Sequence, residues 1–251
     1  MTFSDDEIER YARHLVLAEV GGPGQQRLKA ARVGLIGLGG VGAPVALYLA
    51  AAGVGTLRLI DDDVVALSNL QRQIAFDAAD LGRLKVEAGA DALSALNPHV
   101  RIEPVAERLT RASAARLIGD CDVVIDGTDD FGTRFAVNAA CTAAHIPLVS
   151  GALGRWSGQV GVFTGRPCYR CLVPAVPPEA ETCARVGVIG ALAGVVGSMA
   201  ALETIKLLVG AGASLAGRLL IYDGLAGTAR TVTVAADPGC PVCVGGWSSN
   251  G

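Results

Sequence analysis

Glycines at a characteristic spacing follow the first apolar run of the chain. Gly37, Gly39 and Gly42 have the spacing G-x-G-x-x-G, and the acidic Asp61 lies about 20 residues further on, after a second apolar run. In such a pattern the first glycine permits a tight turn, the second lets backbone approach a phosphate, and the third lets a helix pack closely on a strand. The helix N-terminus offers free N–H groups to the phosphate, and the acidic residue can accept hydrogen bonds from a ribose. The spacing therefore predicts a nucleotide site.

Charged residues beyond the second apolar run indicate which kind of nucleotide. Arg72 and Lys85 follow that run and could meet a triphosphate, whereas Asp129 follows a later apolar run and could hold Mg²⁺ through its oxygens. Arginine, lysine and a metal ion around phosphates are typical of phosphoryl or nucleotidyl transfer. Taken singly, each of these residues could equally be surface charge.

A hydride-transferring dehydrogenase is the usual alternative for such a glycine turn. It would need a proton donor or acceptor in a second catalytic region. The three histidines are in no obvious catalytic setting and are expected to be surface or packing residues: His14, His99 and His145.

Two Cys-x-x-Cys pairs predict a metal site. Cys168 pairs with Cys171, and Cys240 pairs with Cys243. Four thiolates suit tetrahedral Zn²⁺, and a site filled by four protein ligands is structural. The alternative is a redox dithiol, in which one pair would act alone.

The three other cysteines are expected to differ in role. Cys121 and Cys141 lie in or beside apolar segments and are predicted core residues. Cys183 lies in a polar segment near Arg185, where it is either a nucleophile or a bystander.

Composition and charge exclude other classes of protein. The hydrophobic fraction of 51% permits a sizeable core, and the net charge of −3 argues against non-specific binding of nucleic acid. The acidic N-terminus lacks the apolar region of a signal peptide, so seven cysteines are expected to stay reduced in the cytoplasm. The apolar stretch 186–202 is shorter than the roughly 20 residues that span a bilayer, so we predict a buried helix and no membrane contact.

The predicted elements place these residues on one α/β fold. Strands at 33–36, 56–60, 101–105, 122–125 and 148–150 alternate with helices at 40–51, 85–96, 110–118 and 134–144. This order implies a Rossmann-like, doubly wound parallel sheet, whose ligands lie at the carboxyl ends of the strands. Shorter connections follow, with strands at 160–164, 219–222 and 230–234, which predict an antiparallel extension of the same sheet.

We expect one domain with four parts. A helical arm spans 1–30, with a helix over 5–18 and a break at Gly21–Gly24 before a short helix from Gln25. The nucleotide-binding core spans 31–150, and an extension with a crossover loop and the two cysteine pairs spans 151–244. Residues 245–251 are a tail.

Several stretches together resemble the MoeB/ThiF family, the bacterial relatives of ubiquitin-activating enzymes. They run from Arg10 to Cys243, nearly the whole chain, and the segment 68–73 with both cysteine pairs is more diagnostic than the glycine turn. The matching stretches are Arg10-Tyr11-x-Arg13, the turn 37–42, residues 59–63, the Ser-Asn-Leu-Gln-Arg-Gln segment 68–73, Lys85-Val86-Glu87, Asn97-Pro98-His99, Gly127-Thr128-Asp129, the two Cys-x-x-Cys pairs, and Thr182-Cys183.

The resemblance implies a reaction. It is the ATP-dependent adenylation of the C-terminal glycine carboxylate of a small ubiquitin-like sulfur carrier ending in Gly-Gly. The carrier would be MoaD-like or ThiS-like, and the pathway molybdopterin or thiamin biosynthesis, with a MoeB-like member slightly favoured by the match around the cysteine pairs. No sulfurtransferase-like segment is recognisable, so sulfur is expected from a separate sulfurtransferase.

The resemblance also implies roles for individual residues. Asp61 would bind the ribose, Asp63, Arg72 and Lys85 would surround the nucleotide and its phosphates, and Asp129 would support Mg²⁺. Arg13 would act on the ATP of the partner subunit, which makes the protein a homodimer. Cys183 matches the cysteine that ThiF-like members use covalently. The full set expected at the nucleotide is Gly37, Gly39, Gly40, Gly42, Asp61, Asp63, Asn69, Arg72, Gln73, Lys85 and Asp129.

Two residues depart from the family pattern. Asp130 stands where the family usually has asparagine, so it either tightens metal binding or faces solvent. Asp62 stands where relatives often carry an apolar or aromatic residue. Two other functions remain open: adenylation of a modified tRNA base, and a non-catalytic scaffold that docks a carrier.

Overall fold

The computed structural model describes residues 2–177 and 187–244. These residues build one eight-stranded sheet with the order β3-β2-β1-β4-β5-β6-β7-β8. The predicted tail and the segment containing Cys183 lie outside the described residues. The strands are β1 Arg32–Ile36, β2 Thr56–Ile60, β3 Arg101–Val105, β4 Val123–Asp126, β5 Leu148–Leu153, β6 Ser157–Phe163, β7 Arg218–Asp223 and β8 Thr228–Thr233.

Helices connect the strands and flank the sheet. The predicted helix over 85–96 is confirmed to the residue, and the other core helices differ from prediction mainly at their first turns. The described α-helices are α1 Asp5–Arg10, α2 Ala12–Leu15, α3 Gly21–Ala30, α4 Gly42–Ala51, α5 Lys85–Leu96, α6 Ala114–Ile118, α7 Phe131–Ala144, α8 Tyr169–Leu172 and α9 Gly190–Val209.

The strand order and direction confirm the predicted fold class. β1 to β5 pair in parallel, with β1 between β2 and β4, and β5 to β8 pair antiparallel. The chain therefore leaves β1 toward one side of the sheet for β2 and β3 and returns to the other side for β4. A crevice opens where this direction changes, at the carboxyl ends of β1 and β4.

Two apolar cores cover the two faces of the sheet. One core combines β1 and β2 side chains such as Leu35 and Leu59 with α4 and α9. The other combines Ile36 and Val124 with α6 and α7. The central parallel strands β1 and β4 are buried on both faces and are therefore largely apolar in sequence, whereas the edge strand β3 is partly exposed.

The N-terminal arm differs from prediction. The expected single helix over 5–18 is wrong, because the chain divides into α1 and α2 at Tyr11. The Tyr11 ring packs against Gly53 so closely that a Cβ there would lie 2.4 Å from it. The Tyr11 hydroxyl accepts a hydrogen bond of 2.9 Å from Asn97, which also donates to the carbonyl of Ala50 at 2.7 Å. Burial of the Tyr11 side chain against α4 and α5 therefore stabilises the fold more than a continuous helix would.

The predicted break at Gly21–Gly24 is also wrong. α3 begins at Gly21, which has a φ of 54° at the entry to the helix. Pro23 lies in the first turn, where the missing N–H would have no intrahelical partner. Glycine and proline therefore start this helix instead of interrupting the chain.

The long apolar helix α9 is buried as predicted, although it begins and ends later than the stretch 186–202. It is long and apolar enough to cross a membrane, with a mean hydropathy of 1.7, but half of its most apolar window is buried inside the fold. A Cβ at Gly197 would lie 2.3 Å from Pro44 and 2.7 Å from the Val41 carbonyl, so α9 contacts α4 closely. Such burial is typical of a core helix.

Candidate nucleotide site and cysteine cluster

The glycine turn has the geometry that its spacing predicts. Gly37 has a φ of 83°, and a Cβ there would lie 2.9 Å from Thr128. A Cβ at Gly42 would lie 1.9 Å from the Gly37 carbonyl oxygen, so only glycine lets α4 start this close to the turn. At Gly39 the nearest neighbour of such a Cβ is Gln73 Nε2 at 3.8 Å, so the space beside this residue is open. The turn therefore closes on itself at two glycines and faces the cleft at the third.

Asp61 connects the end of β2 to this turn. Its Oδ2 accepts a 2.6 Å hydrogen bond from the backbone N–H of Leu38, and its Oδ1 accepts one of 2.8 Å from Asp63. The side chain is buried but still lines the cleft. Each carboxylate oxygen keeps a second lone pair. Asp61 can therefore hold the turn and also accept a hydrogen bond from a ribose.

Lys85 places a buried charge at the cleft. It is the first residue of α5 and is 5% exposed. Its Nζ contacts the carboxylate of Asp63 at 2.7 Å, and that carboxylate is 62% exposed. An incoming phosphate would offer the ammonium group a second anionic partner without moving the lysine backbone.

The segment 68–73 forms the third side of the cleft. Asn69 accepts a hydrogen bond from the Ala66 backbone at 3.2 Å, which fixes the tight turn, and Arg72 donates to the Ser68 carbonyl at 3.0 Å. Gln73 is 3% exposed, and its Oε1 accepts no hydrogen bond from the described part of the chain. Because a buried acceptor without a donor is costly, Gln73 is suited to a ligand that donates.

The two aspartates after β4 have different roles. Asp129 is exposed and lines the cleft, and within the described chain its carboxylate accepts no hydrogen bond. Asp130 instead caps α7, where its Oδ2 accepts hydrogen bonds of 2.8 Å from the backbone and hydroxyl of Thr133. Burial works to raise the pKa of Asp130, but these hydrogen bonds and the charge of Arg108 hold it below its ordinary value. Asp130 is thus already occupied as a helix cap, whereas Asp129 is available for a metal ion.

A buried arginine beneath the cleft was missed from the sequence. Arg134 is 5% exposed and donates to Ser150 at 3.2 Å, to the Gly151 carbonyl at 2.9 Å and to the Thr128 carbonyl. The Asp126 carboxylate lies 3.9 Å from it. Burial alone would lower the pKa of Arg134, but the charge of Asp126 raises it above its ordinary value. Arg134 therefore joins the loop after β4 to strand β5. The sequence signal that could have revealed this arginine is Asp126, an acidic residue at the end of a buried strand.

These side chains meet in one cleft of about 460 Å³. Among the residues predicted to bind a nucleotide, Gly42 alone does not line it, because it lies beneath the turn. The predicted residues that do line it are Gly37, Gly39, Gly40, Asp61, Asp63, Asn69, Arg72, Gln73, Lys85 and Asp129.

Two predicted catalytic residues are not in this group. Arg13 is exposed on α2, does not line the cleft, and forms no ion pair with the described residues. Cys183 lies outside the described residues. His14 contacts Gln25 at 2.9 Å, and none of the three histidines lines the cleft, so they offer nothing to hydride chemistry there.

The four paired cysteines come together as predicted. Their Sγ atoms lie within 4.8 Å of one another. Cys168 and Cys240 are 3.7 Å apart and Cys171 and Cys243 are 3.5 Å apart, far longer than a disulfide bond. Tetrahedral zinc with bonds of about 2.3 Å places sulfur atoms about 3.8 Å apart, so the donor set fits the ion.

The cysteine cluster is connected to the cleft. Asn138 of α7 donates to Cys168 Sγ at 3.6 Å and accepts from the backbone N–H of Tyr169 at 2.8 Å. The Tyr169 ring lies 5.9 Å from the Arg134 guanidinium and also lines the cleft.

Burial works to raise the pKa of Cys240, but backbone N–H donors from Cys243 and Val242 lower it to about 7. Cys121 and Cys141, the two described cysteines outside the cluster, are buried core residues, as predicted.

The fold and site define a nucleotide-binding α/β protein with a four-cysteine cluster, and comparison with known proteins agrees. The ThiF family model matches residues 11–242, so the chain belongs to the ThiF family. The molybdopterin-synthase adenylyltransferase of Escherichia coli K12 is 46% identical over 243 residues, which are 96% of this chain and 98% of that protein. The sulfur carrier protein adenylyltransferase of Thermus thermophilus is 44% identical over 252 residues, covering 97% and 93%.

A solved structure supports the fold. PaaA superposes with a TM-score of 0.81 at 25% identity, over 92% of this chain and 75% of that chain. The resemblance to the MoeB/ThiF family, first seen in short stretches, is therefore confirmed over nearly the whole chain.

The glycine geometry generates a paired prediction. Gly39→Ala should fold normally, because a Cβ there meets no close neighbour, but it should weaken ATP binding by about tenfold or more since phosphate needs that space. Gly42→Ala should instead lose about 3 kcal/mol of stability, or fail to fold, because its Cβ overlaps the Gly37 carbonyl. Urea denaturation and calorimetric titration with ATP measure the two effects. A Gly39→Ala variant that binds ATP normally would show that phosphate does not approach this turn.

Proposed function

We propose that this chain uses ATP to adenylate the C-terminal glycine carboxylate of a ubiquitin-like sulfur carrier. One observation supports this most: the glycine turn, Arg72, Lys85 and Asp129 line a single cleft, in a chain closely similar throughout to two proteins named adenylyltransferases. The carrier would be MoaD-like or ThiS-like, in molybdopterin or thiamin biosynthesis, and the reaction would take place in the cytoplasm.

The reaction requires little proton transfer by the protein. A carboxylate is ionised at neutral pH, so its oxygen can attack the α-phosphorus without a general base. A carboxylate oxygen–phosphorus bond forms, the bond from the α-phosphorus to the bridging oxygen breaks, and pyrophosphate leaves. Catalysis then consists of positioning the two anions and neutralising the charge between them.

The described residues provide these functions at different places in the cleft. The free N–H groups of the glycine turn and α4 would bind phosphate, and Lys85 and Arg72 would neutralise its charge. Asp61 would hold the ribose, and Asp63 would lie beside the nucleotide and its phosphates together with Lys85. Asp129 would hold Mg²⁺, which when bound supplies charge neutralisation to the leaving pyrophosphate.

Pyrophosphate exchange into ATP tests the reaction. Exchange should require a carrier ending in Gly-Gly and should fall at least about a hundredfold in Lys85→Ala, because a preorganised charge at the phosphates is lost. Arg83→Ala is the matched control, since Arg83 pairs with Asp80 and Asp91 and does not line the cleft. The proposal fails if no candidate carrier from the same organism supports exchange.

Other outcomes of this assay identify the alternatives. Exchange that depends on tRNA would favour adenylation of a modified base. Carrier binding without ATP turnover, unchanged in Lys85→Ala, would favour a docking scaffold.

The exposed position of Arg13 supports a homodimer. Arg13 lies outside the cleft of its own subunit and has no acidic partner among the described residues, so we propose that it reaches the phosphates in a partner subunit. The exposed side of α9, with its small residues, would form part of that dimer interface.

Mixed dimers test action across the interface. Arg13→Ala and Lys85→Ala should each be nearly inactive alone. Mixing them should restore about a quarter of wild-type exchange, because half of the dimers would be mixed and each mixed dimer would hold one intact site. Without recovery after confirmed subunit exchange, Arg13 would have to act on its own subunit or not at all.

We further propose that the cysteine cluster holds structural zinc. The purified chain should contain about one zinc ion per chain, and Cys240→Ser should lose the ion and lower the melting temperature. Cys141→Ala, at a buried cysteine outside the cluster, should keep its zinc. Elemental analysis and thermal denaturation measure both. A zinc-free protein with one pair oxidised to a disulfide would support the redox dithiol instead.

A further inference from the structure

The mouth of the cleft carries an ion pair between two loops. Arg108, which follows β3, contacts Asp62, which follows β2. The Nε of the arginine lies 3.3 Å from one carboxylate oxygen and 3.5 Å from the other. Both residues line the cleft, and the Arg108 side chain is 63% exposed. The pair therefore joins the ends of two adjacent strands on one side of the cleft, where both side chains are exposed.

The surrounding charges single out Arg108 within its loop. Its neighbour Glu107 also lines the cleft but is neutralised by Arg116, whose Nη2 lies 2.7 Å from it. Asp130 is occupied as the cap of α7. Among the described residues, Arg108 is thus the cation that an ion pair with Asp62 holds at this end of the cleft.

The positions of phosphate and ribose along the cleft indicate which part of a bound nucleotide would lie next to Arg108. In this type of fold phosphate binds at the glycine turn and the ribose at the acidic residues ending β2. Beyond Asp61 the cleft continues between Leu109 on one side and Thr128 and Phe131 on the other. Leu109 is buried with 3% exposed, so this end has an apolar floor. It is the part of the described cleft suited to the flat aromatic face of a nucleobase.

We propose that Arg108, tethered by Asp62, packs its planar guanidinium on the adenine and so sets the affinity for the nucleoside part of ATP. This rests on the proposed use of ATP. A guanidinium stacks on an aromatic face, whereas an ammonium group is compact and strongly hydrated. Arg108 acts on a part of the substrate that does not react, so it contributes equally to binding the substrate and the transition state. Its loss should raise KM for ATP and leave kcat nearly unchanged.

Ligand titrations test the proposal without any carrier. Arg108→Ala should weaken AMP binding about tenfold, and Arg108→Lys should weaken it almost as much, because charge is kept but stacking is lost. Asp62→Asn should give a smaller loss, about threefold, that disappears in the Arg108→Ala background. Arg111→Ala is the control, because Arg111 lines only the neighbouring groove. Inorganic tripolyphosphate should bind all variants equally.

Two results would overturn the proposal. One is unchanged AMP affinity in Arg108→Ala. The other is an equal loss of tripolyphosphate and AMP affinity, which would mean that Arg108 acts on phosphate. Since these titrations use only nucleotide and phosphate, they remain interpretable even if no carrier supports pyrophosphate exchange.

Discussion

The close approach of Gly42 to the carbonyl oxygen of Gly37 is the constraint on which the rest of the site depends. No side chain fits between them, so α4 begins directly on the turn that ends β1. Gly127, after β4, lies against the backbone of the same Gly42, with its Cβ position 3.2 Å from the Gly42 nitrogen. The turn after β1, the start of α4 and the loop after β4 thereby meet at one point. Asp61 adds the end of β2, because its carboxylate accepts a hydrogen bond from the backbone N–H of Leu38. This junction therefore fixes the positions of the segments that form the other walls of the cleft.

The opposite wall depends on buried polar contacts. Arg134 donates hydrogen bonds to the loop after β4 and to strand β5, and its charge is balanced by Asp126. Removing either partner would leave the other charged and buried, which is costly. Tyr169 and Asn138 continue this wall to Cys168. The cysteine cluster thus supports the same part of the cleft that the loop after β4 forms, although its ligands come from distant parts of the chain.

Most of the fold could be predicted because the central strands β1 and β4 are largely apolar and because strands alternate with helices along the chain. The helix from Lys85 to Leu96 was placed to the residue by the stop at Asn97-Pro98. The arm was misplaced because Tyr11 is held by Gly53 and Asn97, which are far away in sequence. For Asp130 the sequence left two roles open, tighter metal binding or exposure to solvent. The residue is exposed and also caps α7 through the backbone N–H of Thr133, a role that depends on where the helix begins.

The amino-acid sequence alone is enough to recognise the glycine turn, the paired cysteines and the alternation of strands and helices. These follow from local sterics and from the chemistry of each residue type, which act over a few positions. Which charges meet depends instead on how the chain folds: Lys85 pairs with Asp63, Arg134 with Asp126, and Arg108 with Asp62. Two of these pairs join loops at the ends of different elements, whose distances are set by the order and spacing of strands across the sheet. That order places β2 beside β3, and this adjacency cannot be read from spacing along the chain.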